Sequence, residues 1–240
     1  MSIASRLDSL HLQARSNKWL WYFAIFCRVA LAAGFIPSGM VKILGERFTS
    51  LAVSHPMGNY LEAIYHTGYY YTVIGVLQVT AAILLLIPRT AILGALIYFP
   101  IILNICILSL AVRFDGSLFT SPLMVLANLY LLCWYFHKWK FILPFYHANE
   151  YQTMPKRKDL KNDFPFKFFS AVSLTFILVV TAVTQGYELL PRNTLSECQS
   201  QCADSDNPQA CYEFCDAIHV AGQPLDKSLD SYYNAVKKAP

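Results

Sequence analysis

The chain has 240 residues, of which 55% are hydrophobic, 15% aromatic and only 14% charged, with a formal net charge of +4 at pH 7. That balance is too apolar for a soluble domain and gives no reason to expect a nucleic-acid partner. It describes an integral membrane protein.

Residues 1–18, with "SRLDSLHLQARSNKW", read as a short amphipathic surface helix on the cytoplasmic side. Crossing a hydrocarbon core of about 30 Å takes roughly 20 helical residues. Five stretches are long enough: Trp19–Ile43, Tyr69–Ile87, Ala91–Val112, Leu118–Phe136 and Phe169–Tyr187. A backbone in lipid must satisfy its own hydrogen bonds, so each span is predicted to be a helix and the fold class all-α. The first span is too long for a cleavable signal peptide and has no small-residue cleavage site, so it is expected to stay in the membrane.

The first four spans contain no Asp or Glu, yet Arg28 sits inside the first. Counted from the predicted inner ends at 1.5 Å per residue, Arg28 and Gln78 lie about 13 Å deep, Asn128 about 12 Å and Tyr98 about 10 Å. Asn104 is deeper, at about 20 Å. Arg28, Ala32, Gly39 and Lys42 fall on one face of the first helix, whose small residues permit close helix contact. Pro37 and Pro100 cannot donate to the carbonyls of Ala33 and Leu96 and so open polar backbone inside two spans. The shared depth predicts a buried polar layer of Arg28, Gln78, Tyr98 and Asn128. Three roles stay open for Arg28: reaching inward to lipid headgroups, compensating a ligand in a pocket, or lining a gated ion path. A transporter would usually carry more intramembrane acids or repeated halves, and neither is evident.

In the loop after the first span, "NYLEAIYH" has an N-cap pattern and sets Glu62 and His66 four apart, which suits an interfacial helix better than a metal site. Residues 137–168 carry Lys138, Lys140, Lys156, Arg157, Lys158, Lys161 and Lys167 and read as a basic cytoplasmic loop held at anionic lipid. With the basic amino-terminal segment and Arg89, they predict the amino terminus inside and the carboxyl terminus outside. The predicted location is the cytoplasmic (inner) membrane.

Residues 188–240 form an acidic tail with "CQSQCADSDNPQACYEFC". Cys198 and Cys202 are four apart and so share one helix face, as do Cys211 and Cys215. "TLSE" is a capping box, and Asn207 or Asp206 can cap a second helix with Pro208 at its first position. Two antiparallel helices joined by so short a loop bring the outer and the inner cysteines together. The expected bridges are Cys198–Cys215 and Cys202–Cys211, favoured over metal binding by the exported setting and the absence of C-x2-C spacing. Cys27, Cys106 and Cys133 lie singly in spans and read as packing groups.

No span contains a histidine, and the chain has no C-x-x-C pair, no glycine-rich nucleotide fingerprint and no H-E-x-x-H. It has no self-contained catalytic motif. Redox chemistry would need a borrowed cofactor.

The segments "RVALAAGFIPSGMVKI", "LLIPRTAILGALIYFPIILNI", "FDGS" and "LANLYLLCWYF", in this order, resemble the DoxX-like membrane proteins over roughly Phe26–Phe136. The matching polar positions are Arg28, Gly39, Lys42, Asn104, Asn128 and Tyr130. The resemblance implies a four-helix membrane bundle over residues 19–136, with relatives linked to quinone-dependent sulfur oxidation or oxidative-stress systems. The fifth span, residues 169–187, and the cysteine hairpin depart from that pattern. Ligand-facing roles are expected for Arg28, Gln78, Tyr98, Asn104, Asn128 and Tyr130, and structural roles for Pro37, Gly39, Lys42 and Pro100.

Two functions are compatible with this reading. One is a non-catalytic subunit or accessory factor that holds a quinone or lipid and docks a membrane or exported protein partner. The other is the membrane subunit of a quinone-linked oxidoreductase acting on sulfur compounds or thiols, with Arg28 and Asn128 donating to a quinone carbonyl.

Overall fold

The structure, a computed structural model, describes residues 3–140, 155 and 160–238. Among these the regular secondary structure is helical, apart from one isolated bridge between Asn17 and Lys161. In chain order the helices are α1 (Ile3–Arg15), α2 (Lys18–Ile43), α3 (Pro56–Tyr65), α4 (Tyr69–Leu86), α5 (Ala91–Ala111), α6 (Asp115–Leu118), α7 (Thr120–Trp134) and α8 (Phe136–Trp139). They continue as α9 (Phe166–Gln185), α10 (Leu195–Ser200), α11 (Pro208–His219) and α12 (Leu225–Lys238). Five segments are long and apolar enough to cross a membrane: α2, α4, α5, α6 with α7, and α9. They match the expected spans to within a few residues at each end.

Four of the spans close on one another, α2 packing on α4 and α7 while α5 packs on the same two helices. Their shared core includes Leu31, Phe35, Ala81, Leu85, Tyr98 and Leu131. Lipid tails are as apolar as leucine, so close packing between small residues must hold such helices together. Gly39 and Gly75 provide it: a Cβ on Gly39 would lie 2.8 Å from the Gly75 carbonyl oxygen, and one on Gly75 would lie 2.6 Å from that of Gly39. The α4–α5 hairpin closes equally tightly, since a Cβ on Gly94 would sit 2.8 Å from the Ala81 carbonyl oxygen.

The fifth span stands apart. α9 reaches the bundle through α7, with Phe168 against Phe23 and Tyr130, and Val183 is its buried residue. Its Leu174, Phe176, Ile177 and Leu178 are exposed, which suits contact with lipid. At the end of the bundle that carries Lys18, Arg89 and Lys138, here the basic end, α1 is tucked beneath α7 and α8. Its Asp8 is buried in an ion pair with Lys140 at 2.9 Å, and the Arg15 guanidinium lies 4.4 Å from the Trp134 ring centroid. One face of this amphipathic helix is thus packed on the bundle, while Leu7 and Leu10 stay exposed. Most of the basic loop, residues 141–154 and 156–159, lies outside the described residues.

The opposite end carries the cysteine module. Cys198 pairs with Cys215 and Cys202 with Cys211, the nested arrangement that the four-residue spacing suggests. Thr194 and Glu197 form the capping box, and Asn207 caps α11 by accepting from the Ala210 amide, with Pro208 opening the helix. The first helix is shorter than expected: α10 ends at Ser200 and Cys202 opens a separate 3-10 turn, Cys202–Asp204. The sequence reading left α12 out. Its Leu229 and Tyr232 cover the disulfides, and the Tyr232 hydroxyl donates to Glu188 at 2.7 Å. The module is fastened to the bundle by an Arg192–Asp115 ion pair at 3.2 Å and by Arg113 donating to the Leu189 carbonyl at 2.9 Å.

Candidate functional site

Arg28 has its partners within the bundle. Pro88 stops α4, and the carbonyls of its last turn need donors. Ile83 receives the Ile87 amide and Leu84 receives the Thr90 hydroxyl at 3.0 Å. Arg28 supplies the next two, Nε donating to Leu85 and a terminal nitrogen to Leu86, each at 2.5 Å. A guanidinium is suited to this task because its fork spans adjacent carbonyls and its charge meets the negative end of the helix dipole. The expected pocket of Arg28 with Gln78, Tyr98 and Asn128 is therefore corrected. Arg28 caps a helix.

The other polar residues disperse in the same way. The Tyr98 hydroxyl donates to the Leu31 carbonyl at 3.1 Å, Asn128 Nδ2 to Ala95 at 3.1 Å and the Tyr130 hydroxyl to Leu20 at 2.8 Å. Each ties one helix to the backbone of another. The buried Asn128 Oδ1 accepts no hydrogen bond among the described residues. Of the six expected ligand-facing residues, Gln78 and Asn104 line a cavity.

That cavity, of about 770 Å³, lies in the half of the bundle nearer the cysteine module. It is lined by Tyr70, Tyr71, Val73, Ile74, Leu77 and Gln78 of α4 and by residues of α5 from Pro100 to Leu108, away from the tight α4–α5 contact at Gly94. Phe35, Ile74, Leu77, Ile101, Ile105 and Met124 give it apolar walls. Pro100 lines it on α5. Gly34 makes room on α2, where a Cβ would lie 2.7 Å from the Met124 methyl carbon. The polar lining includes Ser38, Lys42, Gln78 and Asn104.

Lys42 is the residue whose role the sequence reading missed. Although it sits in the last turn of α2, where a lysine would ordinarily reach water, its side chain folds inward and the residue is 7% exposed. Nζ donates to the Ser38 carbonyl at 2.9 Å and to the Ser38 hydroxyl at 3.0 Å. It lies 4.1 Å from the Phe48 ring centroid and 5.9 Å from that of Tyr71. Ser38 passes its own proton toward Gln78 Oε1 at 3.4 Å. Among the described residues Lys42 makes no ion pair with a carboxylate. The available signal was the Ser38–Lys42 spacing of one helical turn, next to a helix-crossing glycine.

α3 adds Met57, Tyr60, Leu61 and Ile64 to the lining. Its cap is His55, not Asn59: Nδ1 accepts from the Met57 amide at 3.1 Å, while Nε2 donates to the Arg192 carbonyl at 2.7 Å. Accepting at one nitrogen and donating at the other fixes a neutral imidazole. Burial, the largest influence, pulls His55 below its ordinary value of 6.5, with His219 adding to the effect and the Arg192 hydrogen bond and Asp115 opposing it. The Glu62–His66 pair is occupied structurally, Glu62 meeting Arg47 at 2.5 Å and His66 at 3.1 Å.

These features define a helical membrane protein with a partly open cavity in the half of its bundle nearer a disulfide-bonded module. The chain is 34% identical over 111 residues to the uncharacterized protein YwoB of Bacillus subtilis (strain 168), a match covering 43% of this chain and 71% of YwoB. It belongs to the family of YwoB. No protein-family model matches the chain, and no solved structure matches it.

Proposed function

We propose that this chain is a DoxX-like protein of the cytoplasmic membrane, acting as a non-catalytic subunit or accessory factor of a redox or stress-related complex. Its cavity holds an amphiphile, a quinone or a lipid, and its cysteine module stands on the extracytoplasmic side to meet a membrane or exported partner. The observation that carries the reading is the cavity itself: about 770 Å³, walled by apolar side chains, with a few polar groups gathered near Lys42. Its described lining contains tyrosines and one amine but no carboxylate, imidazole or thiol, which favours holding a molecule over transforming it. Arg28 and Asn128, the donors a quinone-reducing subunit would have used, are bonded to backbone carbonyls.

The test is native mass spectrometry of the full chain released from nanodiscs, followed by extraction of what leaves with it. An amphiphile at close to one per chain is expected. Ile105→Trp, which fills the cavity from α5, should remove it while the protein stays folded. Equal ligand content in the two proteins would overturn the reading.

A further inference from the structure

In a step that rests on the cavity reading above, the geometry points to an anionic oxygen head group, a carboxylate or a phosphate, on the amphiphile that the cavity takes. The head sits against Lys42 Nζ and the Gln78 amide, and the chain runs inward past Phe35, Ile101 and Met124.

Four observations converge on this. First, Lys42 is 7% exposed and its fixed partners are a carbonyl, a hydroxyl and two ring faces. Dipoles and aromatic faces soften the burial of an ammonium but do not cancel its charge. Second, the ammonium has three donors and Ser38 engages two, so one N–H is left for a ligand. Third, the neighbouring polar groups are oriented as donors. Ser38 spends its proton on Gln78 Oε1, which leaves the Gln78 amide nitrogen without an acceptor among the described residues. A site offering an N–H of a cation and an amide NH2 complements a negatively charged oxygen better than a neutral hydroxyl or ketone. Fourth, Lys42 is in the last turn of α2, at the depth where a polar head belongs, and the apolar lining extends from there into the bundle.

The rival explanation is that Lys42 only complements the dipole at the end of α2. A lysine placed for that purpose gains most by keeping its ammonium in water, and this one turns away from it, under Phe48.

The probes are oleate, oleoyl lysophosphatidate, oleyl alcohol and decyl-ubiquinone, titrated at pH 8 into the full chain in phosphatidylcholine nanodiscs. The two anions are expected to bind at least about tenfold tighter than the alcohol and the quinone, equivalent to about 1.4 kcal/mol. Which anion binds tighter distinguishes a free carboxylate from a lipid phosphate as the source. Lys42→Met should abolish the preference while leaving alcohol affinity within about twofold, and Lys42→Arg should keep it. Ile105→Trp should weaken every probe. If wild-type protein binds oleate and oleyl alcohol equally, or if the preference survives in Lys42→Met, the head-group assignment fails and the cavity reading stands. Absence of binding by every probe would overturn both. The wild-type comparison decides the matter even if Lys42→Met does not fold.

Discussion

Replacing Arg28 with methionine separates a structural arginine from a ligand-binding one. The substitution keeps most of the packing volume and deletes two charge-assisted hydrogen bonds, to Leu85 and Leu86. Bonds to a charged group contribute about 1.5–3 kcal/mol each, so the pair is worth roughly 3–6 kcal/mol. Removing a guanidinium that is 9% exposed also relieves part of its desolvation cost. The net loss should be about 2–4 kcal/mol, a fall in midpoint of roughly 5–15 °C for a chain of this size. Lysine can reach one carbonyl but lacks the fork, so Arg28→Lys should recover about half. Thermal unfolding in nanodiscs, followed by circular dichroism, reads the stability, and titration with oleate on the same samples reads the cavity. The expected result is a lower midpoint with unchanged oleate affinity below the transition. An unchanged midpoint, or lost oleate binding without lost stability, would refute the helix-capping assignment.

Three further outcomes follow from the module and the topology. Replacing Cys198 and Cys215 together with serine opens a loop closed over a separation of 17 residues. By chain entropy this should cost about 3 kcal/mol, seen as faster proteolysis of the module while the bundle keeps its helical signal; unchanged proteolysis would contradict it. His55, held neutral, contributes stability that is fully present above its ordinary 6.5 and lost as pH falls through its depressed folded value. Hydrogen exchange at the Met57 amide, corrected for intrinsic rate, should accelerate as pH is lowered from 8 to 5, and a flat profile would show that His55 does not hold α3. Reporter fusions after Lys161 and after Lys238 should report opposite sides of the membrane; the same side for both would remove the proposed orientation.

The spans were legible because twenty-residue apolar runs have few alternatives in lipid, and the disulfides because one helical turn fixes which cysteines share a face. The polar layer was misread for a geometric reason. α2 has 26 residues and α4 has 18, about 39 Å against 27 Å of helix, so their ends do not lie in one plane. Counting inward from each end placed Arg28 beside Gln78, when α4 stops short and presents Leu85 and Leu86 instead. Equal depth also says nothing of azimuth: Tyr98, Asn128 and Tyr130 turn toward backbone carbonyls of their neighbours. The cavity had no local signature, because its lining is drawn from α2, α3, α4, α5 and the α6–α7 segment together. Lys42 was visible as a polar residue near a span end, but its inward fold depends on Ser38, Phe48 and Tyr71 together.

The central claim, an amphiphile inside the bundle, is tested most directly by photo-crosslinking in native membranes. A fatty acid carrying a diazirine along its chain would be fed to cells, activated by light and mapped by peptide sequencing. Adducts are expected to concentrate at Ile101, Ile105 and Met124 and to be competed by excess oleate. Adducts confined to the exposed face of α9, at Leu174, Phe176, Ile177 and Leu178, with none in the cavity, would mean that the protein meets lipid only as its solvent.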